Sequence, residues 1–242
     1  RRWRVGQRCD ESSELLSHDD LRLLADFEAT DEWVLEPGDM LYVPPGIAHD
    51  GVAVGDDCMT YSIGFRAPSR ADLIGHWVDD ILTDMADDDR YGDPGLQRQA
   101  NPGEITSEAI GALHAMITEK LGDRTAFARW FGAYNSTPKY PEIDWRPENA
   151  VDIEALSEKL TSGTTLARNP ASRFSFIREG GTVILFVDGD SFECVGALAE
   201  FAESLCAADK MHVRPELAKS SAVVDLIVAL LGRGSIALAD EV

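Results

Sequence analysis

The sequence predicts an α+β protein in three sections, and three observations lead to it. Residues 1–68 read as β with a loop insertion, and residues 69–135 place apolar side chains at helical spacing. Beyond a proline-rich stretch at 136–147, residues 148–242 alternate helical patterns with a β-hairpin pattern.

The first section opens on "RRWRVG", a strand pattern that would set Arg1 and Trp3 on one face and Arg2 and Arg4 on the other. A polar excursion with helical character follows from Ser12 to Glu28, then "WVLEPGD", "MLYVPPG" and "CMTYSIGFRAP". Pro37 and Gly38 suit a tight turn, "MLYV" is expected as a short strand, and Pro44-Pro45-Gly46 stops it. Thr60, Ser62 and Gly64 then alternate with Tyr61, Ile63 and Phe65, as in a strand with one polar and one packed face. Pro68 closes the section.

In the second section Leu73, Ile74, Trp77, Val78, Ile81, Leu82 and Met85 form one broad helical stripe. Asp87 to Asp89 make an exposed break. A second helix from Ser107 carries Ile110, Leu113, Met116, Ile117 and Leu121, and "TAFARWFGAYN" reads as a third. Helices this apolar are expected to pack either on a second copy, as a dimerisation segment, or on the β section of their own chain. "NSTPKYPEIDWRPEN" reads as a linker because its prolines exclude helix and sheet.

The third section predicts the helix "NAVDIEALSEKL", then "SRFSFIREGGTVILFVDGDSFECV" turning at Gly180-Gly181 and again at Asp188-Gly189-Asp190. The helices "GALAEFAESLCA" and "SAVVDLIVALLG" complete it. Helices with a hairpin wing make a winged-helix-like module.

Such modules often bind DNA, but the net charge here is −21 and each section carries an excess of acids. No helix face is rich in Arg and Lys, so a structural or protein-docking role is favoured over direct DNA binding. An acidic surface would draw in a basic protein or peptide. No apolar run reaches the ~18–20 residues that span a bilayer. Cys9, Cys58, Cys194 and Cys206 lack metal-like spacing and read as reduced, mostly buried thiols of a cytoplasmic protein.

His49 is the residue with chemistry in view. It follows Pro44-Pro45-Gly46 by three positions, on backbone with little conformational freedom, and a metal ligand needs such fixed placement. Taken alone, a histidine after a turn is more often a cap or core residue than a ligand.

The spacing P-G-D-x4-P-x-G-x2-H, met by Pro37, Gly38, Asp39, Pro44, Gly46 and His49, resembles the second conserved motif of the cupin double-stranded β-helix. With "RRWRVG" before it and "YSIGFRAPSR" after it, the chain resembles the bacterial ribosomal oxygenases of the Jumonji-C group. The resemblance implies Fe(II)- and 2-oxoglutarate-dependent hydroxylation of an arginine on the sixteenth large-subunit ribosomal protein. It also implies a C-terminal portion of the cupin catalytic domain at 1–68, a helical homodimerisation segment at 69–135 and a winged-helix-like domain at 148–242.

Within it, His49 matches the distal histidine of a two-His-one-carboxylate iron site. Arg1 matches the arginine that pairs with the far carboxylate of 2-oxoglutarate, with Arg2 as the neighbouring register. Thr60 or Ser62 would line the cofactor pocket. The family's H-x-D pair belongs on a strand before Arg1, and no H-x-D or H-x-E within the chain replaces it: His18 precedes Asp19-Asp20 in the polar excursion, and His76 and His114 lie in helices. The expectation is a front-truncated oxygenase, inactive as a fragment; the rival expectation is a non-catalytic cupin and winged-helix protein-binding dimer.

Overall fold

The computed structural model describes residues 1–18, 22–64, 67–95 and 97–239, and the chain divides into two compact units, 1–67 and 68–242. In the first, β1 (Arg2–Arg8) is the central strand of an antiparallel sheet ordered β2-β1-β3, with β2 (Ala29–Val34) and β3 (Ile47–Val52) at its edges. Trp3 lies opposite Trp33 on one side and Gly51 on the other, and Val5 opposite Asp31 and His49. Cross-strand partners share a face, so Arg1, Trp3, Val5, His49 and Gly51 lie on one face, and Arg2, Arg4, Asp50 and Val52 on the other.

The turn at Glu36–Asp39 forms as its residues dictate: Asp39 N–H donates to the Glu36 carbonyl, Glu36 N–H donates to the Asp39 carboxylate, and Gly38 takes a φ of +97°. Gly46, at φ +72°, ends the double-proline bend, and its carbonyl accepts from Cys9 N–H at 2.9 Å.

Three expectations for this unit are corrected. "MLYV" is not a strand: Met40 is 92% and Tyr42 76% exposed. Residues 58–64 are not a strand either, and Tyr61 and Ile63 stand exposed beyond four-fifths; Phe65 lies outside the described residues. A strand exists only where a neighbour takes its N–H and C=O groups, and among the described residues neither segment has one. The excursion at Ser12–Glu28 has no helix among its described residues; an isolated bridge from Leu15 to Leu24 folds it back on itself. Asp19 and Asp20 lie outside the described residues.

The second unit begins with α1 (Arg70–Thr83), started by a reciprocal cap in which Ser69 Oγ accepts from Asp72 N–H and the Asp72 carboxylate from Ser69 N–H. Next come α2 (Ser107–Leu121), capped by Thr106, and α3 (Arg124–Ser136), capped by Asp123. The remainder runs α4 (Ile153–Ser162), β4 (Thr165–Arg168), β5 (Phe174–Glu179), β6 (Thr182–Val187), β7 (Asp190–Cys194), α5 (Ala197–Ala207), β8 (Lys210–His212), α6 (Pro215–Ala218), α7 (Ser221–Arg233) and β9 (Ile236–Leu238). Two antiparallel sheets result, β5-β6-β7 and β8-β4-β9. The short strands β4, β8 and β9 go beyond the sequence expectation. Asp188 and Gly189 both take positive φ, as a two-residue hairpin loop of type I′ requires.

One face of β6 (Val183, Leu185, Val187) joins Leu160, Leu166, Phe201, Leu205, Val223, Ile227 and Leu230 in the core. The other face, Ile184 and Phe186, is equally buried, and α3 packs on this sheet. Gly132 of α3 sits directly on the Phe186 ring, and Arg129 binds Glu179 at 2.8 Å and Glu193 at 2.9 Å. On its far side α3 meets α1 through aromatic contacts: Trp77 lies 5.6 Å from Phe127 and 5.3 Å from Trp130, ring centre to ring centre.

α2 is different. It buries nothing, and Ile110, Leu113, Ile117 and Leu121 are all exposed. The thiols also depart from expectation: Cys194 is buried, whereas Cys9, Cys58 and Cys206 are half-buried.

Candidate functional site

β1 runs outward into Arg1, whose main chain pairs with Leu35 in both directions at 2.8 and 2.9 Å, so the guanidinium is presented from ordered backbone. Its Nη2 donates to the Gly51 carbonyl at 3.2 Å and its Nη1 to Thr60 Oγ1 at 3.4 Å. Nε is buried without a hydrogen-bond partner, and among the described residues no carboxylate pairs with Arg1. Arg2 lies on the face opposite His49, and its Nε is likewise buried without a partner. Of the two hydroxyls the sequence offered, Thr60 reaches Arg1 and Ser62 stands exposed.

His49 projects from β3 on the face Arg1 occupies, and its ring is exposed. Nδ1 lies 3.1 Å from the Ile47 carbonyl. A carbonyl only accepts, so the contact requires a proton on Nδ1; in the neutral ring that leaves Nε2 as the acceptor, the tautomer a metal ligand needs. Between the two residues lies Trp3, its ring centre 5.6 Å from the Arg1 guanidinium carbon and 5.9 Å from the His49 ring. On the opposite face Arg4 pairs with Asp50 and rests over Phe27, which braces β1 against β3.

The thiols respond to their surroundings in opposite directions. A backbone hydrogen bond at Val54, aided by the nearby guanidinium of Arg1, draws the Cys58 thiol below its ordinary value. Burial pushes Cys206 up to about 11 and raises Cys194. The thiolate is the nucleophile, so at about pH 8 iodoacetamide is expected to label Cys58 well before Cys206 or Cys194. Peptide mapping reads the order, and labelling of Cys206 first would contradict it.

Residues 1–73 match the JmjC domain and residues 118–237 a ROXA-like winged helix. Over 169 residues, 69% of this chain, the sequence is 34% identical to ribosomal protein uL16 3-hydroxylase of Escherichia coli. The chain is thus similar to bacterial ribosomal oxygenases in both its JmjC section and its winged-helix section. A probable ribosomal oxygenase of Haemophilus influenzae is 34% identical over 144 residues, 54% of this chain. YcfD, a ribosomal oxygenase from Escherichia coli solved with cobalt and 2-oxoglutarate, matches with a TM-score of 0.76 at 27% identity, covering 98% of this chain and 61% of that one. The chain spans less than half the length of the curated relatives, 44% and 33%. The winged-helix match begins before α3, in keeping with the packing of that helix on β5-β6-β7.

The cobalt and the 2-oxoglutarate of that YcfD structure correspond to groups that the residues here fit unequally. Arg1 suits a carboxylate: it is a guanidinium with no acidic partner among the described residues and a buried Nε left over. His49 offers one metal donor, but among the described residues no three His, Cys, Asp or Glu side chains gather around a common point. These residues alone therefore do not make an iron site.

Sequence reasoning missed Trp3 and Gly51. The alternation that put Arg1 and Trp3 on one face held the signal, since His49 and Gly51 alternate in the same way on β3.

Proposed function

We propose that this protein is a Fe(II)- and 2-oxoglutarate-dependent oxygenase that hydroxylates an arginine of the large-subunit ribosomal protein uL16. His49 supplies one metal ligand, and Arg1, with Thr60 beside it, holds the far carboxylate of 2-oxoglutarate. The observation that carries the reading is the placing on one sheet face of an imidazole and a guanidinium that has no acidic partner among the described residues. Iron with 2-oxoglutarate would supply the oxidising power; the chain's residues hold and orient the acid. Because the chain spans 44% of the uL16 hydroxylase, the activity is proposed for a protein that also carries the H-x-D donors.

The test is succinate formation from 2-oxoglutarate with an arginine-containing uL16 peptide, followed by mass spectrometry of the peptide. Succinate release coupled to gain of one oxygen supports the reading. Absence of both with every uL16 peptide rejects it.

Ser62 remains a weaker choice than Thr60 for the cofactor pocket. The acidic chain, at net −21, suits a basic ribosomal substrate. Among the described residues no helix is long and apolar enough to cross a membrane, and a ribosomal substrate would place the protein in the cytoplasm. Direct DNA binding is disfavoured because Arg129, Arg168, Arg178, Arg214 and Arg233 of the winged-helix unit are each paired with an acid.

We assign residues 69–135 to homodimerisation, resting on the exposed stripe of α2. The protein is expected to run as a dimer by light scattering at micromolar concentration and Leu113→Asp as a folded monomer. The side chain is 42% exposed, so the change leaves the packing of one chain intact. A wild-type monomer at that concentration rejects the assignment. A non-catalytic protein-binding dimer is the second reading, favoured by the lack of a gathered metal set among the described residues. Peptide binding without succinate formation would select it.

A further inference from the structure

β9 is an edge strand of the sheet β8-β4-β9. Ala237 lies opposite Ala167, Ile236 opposite Arg168 and Leu238 opposite Leu166. On the same ladder Asn169 N–H donates to the Ser235 carbonyl at 2.9 Å, which fixes the pairs that exchange hydrogen bonds. Such pairs alternate in an antiparallel ladder, so Ala237 bonds inward to β4. The N–H and C=O of Ile236 and the N–H of Leu238 therefore point outward. Arg168 agrees with this parity, because its N–H turns away from β9 to the Asp209 carbonyl at 2.8 Å. Among the described residues nothing pairs with those outward groups. Ile236 and Leu238 are nonetheless buried, and buried backbone polar groups are almost always bonded.

A cavity of about 590 Å³ borders all three residues of β9. Val151, Ala155 and Leu156 line it as well, as do Trp145 and Pro147 of the proline-rich stretch. That stretch is held in place at Gly234, where an added Cβ would fall 1.8 Å from the Trp145 carbonyl oxygen. Gly234 also takes a φ of +73°, so glycine alone lets the chain lie there. The cavity is thus bounded by fixed backbone, and its size falls within the ~300–1,000 Å³ of ligand pockets.

We propose that this cavity and the free edge of β9 form a docking site for an extended, basic segment of a partner protein, added as a fourth strand. Main-chain bonds to Ile236 and Leu238 supply the affinity, and the apolar walls take alternate side chains. A small apolar molecule would fill the volume but leave those bonds unmade, so a strand is the better occupant. Of the charged lining, Lys159 and Asp152 offset each other and Arg168 is already paired with Asp209. Glu148 has no cationic partner among the described residues, and the chain carries −21, which favours Lys and Arg on the segment. The site lies in the winged-helix section and needs nothing from the oxygenase chemistry.

Panning the intact chain against a displayed library of random decapeptides provides the probes, and amide hydrogen exchange by NMR reads the edge. In the free protein the Ile236 and Leu238 amides should exchange about tenfold or more faster than Ala237. Bound peptides should carry Lys or Arg beside apolar residues and slow exchange at Ile236 and Leu238 while leaving Ala237 unchanged. N-methylation of alternate peptide residues should weaken binding about tenfold, whereas methylation of the intervening ones should not. Ala155→Trp, at an exposed helix position, should leave the melting curve in place and weaken the same peptides about tenfold by filling the cavity. Ile236 and Leu238 amides as protected as Ala237 in the free protein would mean that the edge is already covered, which overturns the proposal. Binding indifferent to N-methylation, the mark of a site for a small apolar molecule, overturns it too. So does a library that yields only acidic peptides, or none sensitive to Ala155→Trp.

Discussion

His49→Ala is expected to abolish succinate formation from 2-oxoglutarate, by about 10³-fold or more, while leaving the protein folded. Both halves follow from the surroundings of the ring. Its hydrogen-bond partner is the Ile47 carbonyl two residues back on its own strand, and its ring neighbour is Trp3, tilted by 39° at 5.9 Å. A hydrogen bond of this kind contributes about 0.5–1.5 kcal/mol net, and an exposed imidazole covers little apolar surface. Circular dichroism and thermal melting should therefore barely distinguish the variant from the parent.

The functional loss should be large because residues that merely support a metal ligand already cost 10–100-fold when removed, and His49 is proposed as a ligand itself. Direct metal binding gives a second measurement, with weakened Fe(II) or Co(II) affinity expected in parallel. Turnover and metal affinity equal to the parent's would remove His49 from the metal site and leave the JmjC section without a chemical role for its histidine.

The parts of this arrangement legible in the sequence were those set by local rules. Pro37-Gly38-Asp39 forms the turn its residues specify, Gly46 ends the bend, and "RRWRVG" places alternate side chains on alternate faces. The helices of the second unit follow their apolar spacing, and Gly180-Gly181 and Asp188-Gly189 turn the hairpins as such pairs do. What failed was whatever depended on a partner. "MLYV" is apolar and "CMTYSIG" alternates, yet such patterns record a preference for a pleated environment and cannot supply the neighbouring strand that completes it.

β6 shows the converse. "TVILFV" is apolar without interruption, the pattern of a strand covered on both sides, and that pattern was the available sign that a further helix must cover its second face. In the site, the proline-stiffened approach to His49 was legible, whereas the place of Trp3 between Arg1 and His49 was not. It depends on the register of β1 against β3, which no local pattern encodes.

Gly132→Ala and Gly111→Ala make the same chemical change in two exposed-looking helices and are expected to move stability in opposite directions. In an isolated helix either change stabilises by about 0.8–1.0 kcal/mol, because glycine surrenders the most backbone freedom on becoming helical. At Gly111, in α2, an added Cβ meets nothing within 4 Å, and the full gain should appear. At Gly132, in α3, the same Cβ would fall 2.2 Å from Cε2 and 2.3 Å from Cζ of Phe186.

That ring is 0% exposed on the central strand of β5-β6-β7 and has no free space into which to swing. Relief must come from α3 lifting off the sheet, which also stretches the Arg129 bonds to Glu179 and Glu193 and the Ser136 bond to Gly189 N–H. Overpacking of this kind costs about 1–3 kcal/mol or more, exceeding the propensity gain. Thermal unfolding of the full chain should thus shift upward by a few degrees for Gly111→Ala and downward by about 2–8 °C for Gly132→Ala. A stabilised Gly132→Ala protein would mean that α3 does not rest on Phe186, and the helix would have to be reassigned away from the winged-helix unit.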